Sequence, residues 1–396
     1  MIVLENEDFR VEINPFGAEL TSFRSKTTGT EYVWGGDPAA WKRHAPVLFP
    51  IVGRLKDKTY TVDGASFEIT QHGFGRDLEW EPKQVSGTCA EFTLTQSEYT
   101  KKMYPWDFTC TLRFTLDGGS LIKEHITRND SGSTMYYEIG GHDAYTLCWQ
   151  EGEKITDYFV DFEGTDALTR IVTDEDVMLT AERIRLPLDG GRLHISRELF
   201  ASDAVMTEGL TVRRASIGST KNSRRVTMEF EDFPYFAVWS PYKDFDVPFT
   251  CLEPWSTLPD GTHLDHAIEN KQGIRRLAPG ESETLAFRTT ITESGAANEK
   301  RHPKGCLRLS KNFVFPTICV LTSQNTNVRK FPYGNFLPLG VRKPRYTPPV
   351  FVHLLRKCFF MRAAARLPFL HENKLYRQTE GAPEQGAPFR LSRKRT

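Results

Sequence analysis

Up to about residue 296 the chain alternates apolar and polar residues with a period of two, and nowhere in that stretch does the 3.6-residue period of a helix emerge. Phe9, Val11 and Ile13 alternate with Arg10 and Glu12. Residues 59–62 and 66–69 flank Asp63-Gly64, a pair that tolerates positive φ and so turns a hairpin. Phe108, Cys110, Leu112, Phe114 and Leu116 alternate with Thr and Arg, and Asp117-Gly118-Gly119 then turns the chain into 121–127. The same pattern predicts strands at 135–139, 226–230, 235–239, 249–253 and 284–291, separated by Gly, Pro, Asp and Ser clusters. Many short strands without helices between them predict antiparallel sheets packed face to face. The fold class is therefore all-β, a large antiparallel β-sandwich, and one domain of 1–295 requires wide sheets.

The last hundred residues are different. Formal net charge is zero, yet residues 1–296 hold 31 Lys/Arg and 47 Asp/Glu, a balance of −16, and residues 297–396 hold 20 and 4, a balance of +16. The extension 296–396 is basic and Pro-rich. Its one patterned stretch is Phe351, Leu354, Leu355, Cys358 and Phe359, bracketed by Pro348, Pro349 and Pro368. A short basic amphipathic helix at a membrane surface would show such a stripe. The flanking prolines favour an extension with little regular structure, mostly disordered. No nucleic-acid-binding module is recognisable in it, so nucleic acid is not expected as a partner.

Seven scattered cysteines, with no C-x-x-C pair, argue against a disulfide framework and a zinc cluster. The N-terminus turns acidic at once and has no signal-peptide pattern, and no run of about twenty apolar residues exists. A reducing, cytoplasmic setting without integral membrane contact is the expectation. Glycine loops that cradle phosphates, nucleophile elbows and dinucleotide fingerprints are absent.

Four segments place polar residues where chemistry could occur. Phe49-Pro50-Ile51-Val52-Gly53-Arg54 ends an apolar run on a guanidinium, as would an ordinary surface Arg at a strand end. Gln71-His72-Gly73-Phe74-Gly75-Arg76 sets His72 and Arg76 among glycines that permit close backbone approach, although a turn with a capping His reads the same way. Ile139-Gly140-Gly141-His142 puts an imidazole at the end of a strand, where function or a satisfied turn carbonyl are both plausible. In Phe249-Thr250-Cys251-Leu252-Glu253-Pro254-Trp255, alternation puts Phe249, Cys251 and Glu253 on one face. A lone buried Glu is rare unless paired or functional, and Trp255 nearby could stack on a sugar ring. Pro254 could equally end the strand with Glu253 in water. Asp203 lies in a turn and carries the weakest signal. His263-Leu264-Asp265-His266 lacks further ligands and reads as a loop.

Taken in order and spacing, these segments resemble the aldose 1-epimerase (galactose mutarotase) family, and within it the bacterial LacX-like branch, over about residues 1–293. The Gly-Gly-His and Leu-Glu-Pro-Trp segments are fairly specific together. The resemblance implies a wide β-sandwich of the galactose mutarotase type with a sugar cleft. It also implies an isomerase that interconverts the α and β anomers of a free hexose, phosphorylated or not. His142 matches the general acid and Glu253 the general base. Arg54, His72 and Arg76 match substrate-holding positions, and Asp203 an Asp that binds hydroxyls. Asp143 departs from the pattern, since relatives often have Pro there. Ring opening and closure need one proton removed from the anomeric hydroxyl and one delivered to the ring oxygen. A carboxylate and an imidazolium suit this, and no metal or other cofactor is required. Two other readings are a non-catalytic carbohydrate-binding domain on the same fold, which would not need both His142 and Glu253, and a glycosidase using Glu253 and Asp203 as paired carboxylates.

Overall fold

The computed structural model describes residues 1–241 and 247–293; the expectations for 296–396, the stripe at Phe351–Phe359 included, lie outside the described residues. Among the described residues the only helices are six three-residue 3-10 turns, and everything else regular is strand. None is long and apolar enough to cross a membrane.

Two large antiparallel sheets carry the fold. The nine-stranded sheet runs in the order Arg192–His194, Tyr158–Asp161, Arg214–Ser219, Arg225–Glu229, Ser282–Thr292, Ser120–Asn129, Phe108–Asp117, Cys89–Thr95 and Glu81–Ser86. The second runs Leu179–Pro187, Ala167–Thr173, Val205–Glu208, Tyr235–Trp239, Phe249–Trp255, Gly140–Gly141 and Val47–Leu48, with Asp143–Thr146 also paired to Phe249–Trp255. A three-stranded sheet (Ile2–Glu5, Phe9–Asn14, Glu19–Ser25), the hairpin Thr59–Val62/Ala65–Glu68 and the pair Met135–Tyr137/Arg275–Leu277 complete the frame.

Burial explains why some strands alternate cleanly and others do not. Phe108–Asp117 buries every second residue, Phe108, Cys110, Leu112, Phe114 and Leu116, because its other face meets solvent. Phe249–Trp255 is buried at all seven positions, so both its faces are covered. Its neighbours in the sheet are Tyr235–Trp239 on one side and Gly140–Thr146 on the other. Between the sheets lies one apolar core that includes Phe114, Phe287, Tyr145, Phe230 and Phe236. The rings of Phe230 and Phe236 stack with centroids 4.2 Å apart. Truncating either ring to Ala removes contacts worth about 3–5 kcal/mol in a core that cannot collapse.

Gly140 and Gly141 answer a packing demand. A Cβ on Gly140 would lie 2.8 Å from the Pro254 carbonyl oxygen, and one on Gly141 would lie 2.9 Å from the Phe287 ring of the opposite sheet. Only glycine lets this strand sit so close to both neighbours. The residue that follows is thereby fixed in depth as well as direction.

Candidate active site

The register of Phe249–Trp255 decides which side chains meet. Asp143 is level with Leu252 and Ala144 with Cys251, while Gly140 is level with Trp255. His142 therefore falls level with Glu253. On the other flank Ala237 is level with Glu253 and Trp239 with Cys251. Side chains alternate between faces, so His142, Cys251, Glu253 and Trp239 share one face. Asp143 and Tyr145 point the opposite way, into the space between the sheets.

On the first face, His142 Nε2 lies 3.3 Å from Glu253 Oε2, and the Glu253 side chain is 1% exposed. Neither carboxyl oxygen has a hydrogen-bond partner, and neither does His142 Nδ1. Trp41 stacks on the His142 ring at 5.1 Å, and Trp239 and His72 approach it edge-on, each at 5.6 Å. Burial, then the nearby charge of Asp203, pushes the Glu253 carboxyl well above the usual carboxylate range. Burial, then the positive charge of Arg76, pushes His142 down to about 3. Burial thus disfavours the charged form of each member of the pair. Burial removes the hydration both charges need, and the Trp255 side chain beside Glu253 offsets this only in part.

His72 is buried on a left-handed backbone (φ 64°), followed by Gly73 at φ 68°. A Cβ at Gly73 would lie 2.3 Å from the Phe49 carbonyl oxygen. The strained pair brings the ring to Gly53, whose N–H donates to His72 Nδ1 at 3.0 Å. That leaves the ring proton of the neutral form on Nε2. Burial, reinforced by Arg76 and other nearby positive groups, holds His72 well below the usual imidazole range. Arg76 is mostly buried; its Nη2 donates to the Gln71 carbonyl at 2.6 Å, and Nε, without a hydrogen bond, lies 3.7 Å from Asp77 Oδ2. Burial, then Arg43, lowers its pKa to about 10.

The remaining sequence candidates are placed less centrally. Arg54 is exposed and donates to Gln71 Oε1 and to the Asp176 carbonyl at 3.2 and 3.0 Å, on the rim. Asp203, on a left-handed backbone (φ 69°), accepts from Trp239 Nε1 at 2.8 Å. Asp203 and Trp239 also line an adjoining cleft of about 690 Å³, within the range of small-molecule sites. Trp255 is only 4% exposed and packs against Leu48, Val52 and Leu258. It presents no free ring face, which corrects its expected stacking role. Trp41 and Trp239, both partly exposed, are the rings beside His142. The strand 235–239 was visible in sequence, but that its last residue, level with Cys251, shares the face of Glu253 follows only from register. Nothing in the loop around Trp41 signalled it. Pro254 does not end the strand, which runs on to Trp255.

Asp143 has a defined task. Lys123 Nζ donates to its Oδ1 and Oδ2 at 2.8 and 3.0 Å, and the two side chains are 4% and 2% exposed. The residue after His142 thus joins the two sheets. Among the described residues one grouping has donors suited to a metal, namely His142, Cys251 and Glu253. His263–His266 is a loop, with His266 Nε2 2.9 Å from Asp57.

Comparison with known proteins identifies the family and the fold. Residues 1–288 match the family described as aldose 1-epimerase. The chain is 30% identical over 298 residues to the chromosomal LacX protein of Lactococcus lactis, covering 73% of this chain and 99% of that one. A galactose mutarotase related enzyme from Lactobacillus acidophilus superposes with a TM-score of 0.70 at 32% identity, covering 74% of this chain and 97% of the other. A galactose mutarotase-like protein from Lactobacillus casei gives 0.68 at 28% identity, with 74% and 100% covered. The fold is that of the galactose mutarotase-like proteins, and the chain belongs to the aldose 1-epimerase family.

Proposed function

We propose that the chain is a mutarotase that interconverts the α and β anomers of a free hexose, with Glu253 as general base and His142 as general acid. The observation that carries this reading is the level placement of His142 and Glu253, 3.3 Å apart in the closed face of one sheet, with both carboxyl oxygens unpartnered. The anomeric hydroxyl and the ring oxygen are bonded to the same carbon. Groups that serve them must converge, as these two do. Glu253 takes the hydroxyl proton while His142 gives one to the ring oxygen, and the bond from C1 to the ring oxygen breaks. The aldehyde turns about its bond to C2, and closure on the other face returns both protons.

The pair carries one proton in either arrangement. Carboxylic acid with imidazole is a tautomer of carboxylate with imidazolium, so the two groups titrate as a unit. A bound anomeric hydroxyl donates to Glu253 and favours the carboxylate, which sends the shared proton to His142. The sugar thus supplies the hydrogen bond that the buried carboxyl lacks. In this reading His72, whose Nε2 lies 3.2 Å from the Gln71 side-chain amide in the free protein, and Arg76 hold further hydroxyls, and Trp41 and Trp239 offer apolar ring surface.

Polarimetry on freshly dissolved α-glucose, α-galactose and α-glucose 6-phosphate tests the proposal. Added protein is expected to accelerate the approach to anomeric equilibrium for at least one of them. Sugar binding without acceleration would mean a binding domain instead.

A further inference from the structure

We infer that His142, Cys251 and Glu253 form a binding site for a thiophilic divalent cation of the zinc class, and that its occupation closes the sugar site. The second half rests on the function proposed above; the first does not.

Cys251 has no part in the sugar chemistry, yet it stands two residues before Glu253 on the same face of the strand and opposite Trp239. One donor atom from each of His142, Cys251 and Glu253 lies within 4.8 Å of the other two. In tetrahedral zinc coordination, bonds of about 2.3 Å to sulfur and about 2.0–2.1 Å to nitrogen or oxygen set donors roughly 3.3–3.6 Å apart. The His142–Glu253 separation of 3.3 Å already meets that spacing. Only the thiol has to close in, by side-chain rotation. Imidazole, thiol and carboxylate select zinc or cobalt over magnesium or calcium, which prefer oxygen alone. All three donors stand on two adjacent strands, so the frame is rigid. A water completes the fourth position.

The neighbouring carboxylates favour a cation and Arg76 opposes it. Glu253 is buried without a hydrogen bond and is opposed by the charges of Asp203 and Asp143. A dication bound by one carboxylate, one thiolate and one neutral imidazole is a neutral unit, which removes the cost of an isolated buried charge. Binding replaces the thiol proton, and the carboxyl proton where present, and both leave to solvent. No oxidation state changes. Sugar and cation both need the Glu253 carboxyl, so they exclude each other.

The full-length reduced protein is titrated with Co²⁺ and followed by the near-ultraviolet cobalt–thiolate charge-transfer band. Wild type and Cys148→Ser are expected to show the band. Cys251→Ser and Cys251→Ala are expected to lose it, with affinity reduced at least about tenfold. Two Cys251 variants guard against one failing to fold, as circular dichroism will report. An unchanged band in folded Cys251 variants, or none in wild type at millimolar Co²⁺, overturns the site. Zn²⁺ is then added to the anomerisation assay. Wild type should be inhibited, and Cys251→Ala should keep its basal rate while resisting Zn²⁺. Equal sensitivity of the two, with the cobalt band intact in wild type, overturns the inhibitory half. Absence of anomerisation in every sample counts against the proposed function and leaves the cobalt result standing.

Discussion

His142 and Asp143 are neighbours in the chain and are buried to nearly the same extent, 8% and 1% exposed. They nevertheless live in opposite chemical worlds. Asp143 faces the inter-sheet space, where Lys123 reaches both its oxygens and Tyr145 adds a contact at 3.4 Å. The Lys123 ammonium lies 5.1 Å from the centre of the Phe287 ring, and Tyr145 is linked on to Thr289 of the nine-stranded sheet at 2.8 Å. Here every buried charge has a partner. On the other face, Glu253 and His142 approach each other and are otherwise unsatisfied. Buried polar groups are normally hydrogen-bonded. The Lys123–Asp143 pair therefore reads as structure, and the His142–Glu253 pair, beside partly exposed Trp41 and Trp239, as a place for a ligand. A third buried cluster supports the distinction. Lys271 meets Asp260 at 2.8 Å and Glu138 at 3.2 Å, while the second Glu138 oxygen accepts from the Val52 N–H at 2.7 Å. That cluster braces the segment leading to Gly53 and so the loop of His72.

The largest effect that sharpens this contrast lies on the satisfied face. Asp143→Asn leaves Lys123 buried without its counter-charge and is expected to cost about 3–5 kcal/mol of stability. The double replacement Lys123→Met with Asp143→Leu should recover most of that loss, because an apolar pair needs no hydration. Urea unfolding of the three proteins checks this. If Asp143→Asn unfolds like wild type, the ion pair does not hold the sheets.

A smaller and different effect is expected at Arg76. Arg76→Ala should raise KM for the sugar about tenfold or more, the range for losing a hydrogen bond to a charged group, with kcat less affected. A loss of folding without a separate KM effect would place Arg76 among the structural residues.

The next effect is one of pH. His125 sits on Ser120–Asn129, 1% exposed, with neither ring nitrogen hydrogen-bonded. Burial, then Lys123, lowers its pKa from 6.5 to about 3. A depressed imidazole pKa means that the fold favours the neutral ring. Its contribution is complete above pH 6.5 and is lost as pH falls towards 3, by up to about 1.4 kcal/mol per pH unit. His125→Phe should therefore show a shallower fall in stability between pH 6.5 and 4 than wild type. Parallel slopes would contradict the assignment.

The smallest expected effect is none. Glu293 accepts hydrogen bonds from Ser25, Thr28 and Tyr32 at 2.8, 2.6 and 2.7 Å, which ties down the end of Ser282–Thr292. A chain ending at Ser294 keeps these bonds. It is proposed to fold and to anomerise sugar as the full chain does. Loss of either property would give residues 295–396 a part in the domain.

Much of the frame was legible in the sequence because half-exposed strands announce themselves. Phe9–Asn14, Thr59–Val62 before the Asp63-Gly64 turn, and Phe108–Asp117 all bury alternate residues. The strands between Tyr158 and Ser219 were not read. Tyr158–Asp161 buries three consecutive residues and shows no alternation. Leu179–Pro187 is an edge strand with Glu182, Arg183 and Arg185 exposed, the charged dressing that keeps edges from pairing elsewhere. At the site, local pattern made His142, Glu253 and His72 candidates beside ordinary turn and strand-end readings, and the family resemblance assigned their roles. The face that Trp239 occupies depends on strand register, and the pairing of Asp143 with Lys123 depends on how the sheets stack. Neither is encoded in local pattern.

The central claim is that the unsatisfied pair does chemistry. It is tested most directly by measuring anomer exchange and thermal unfolding on the same samples of wild type, Glu253→Gln and His142→Ala, using whichever sugar wild type turns over. The account predicts that each variant loses about 10²–10⁴-fold in exchange rate while Tm is kept. Near wild-type exchange in both folded variants would contradict it.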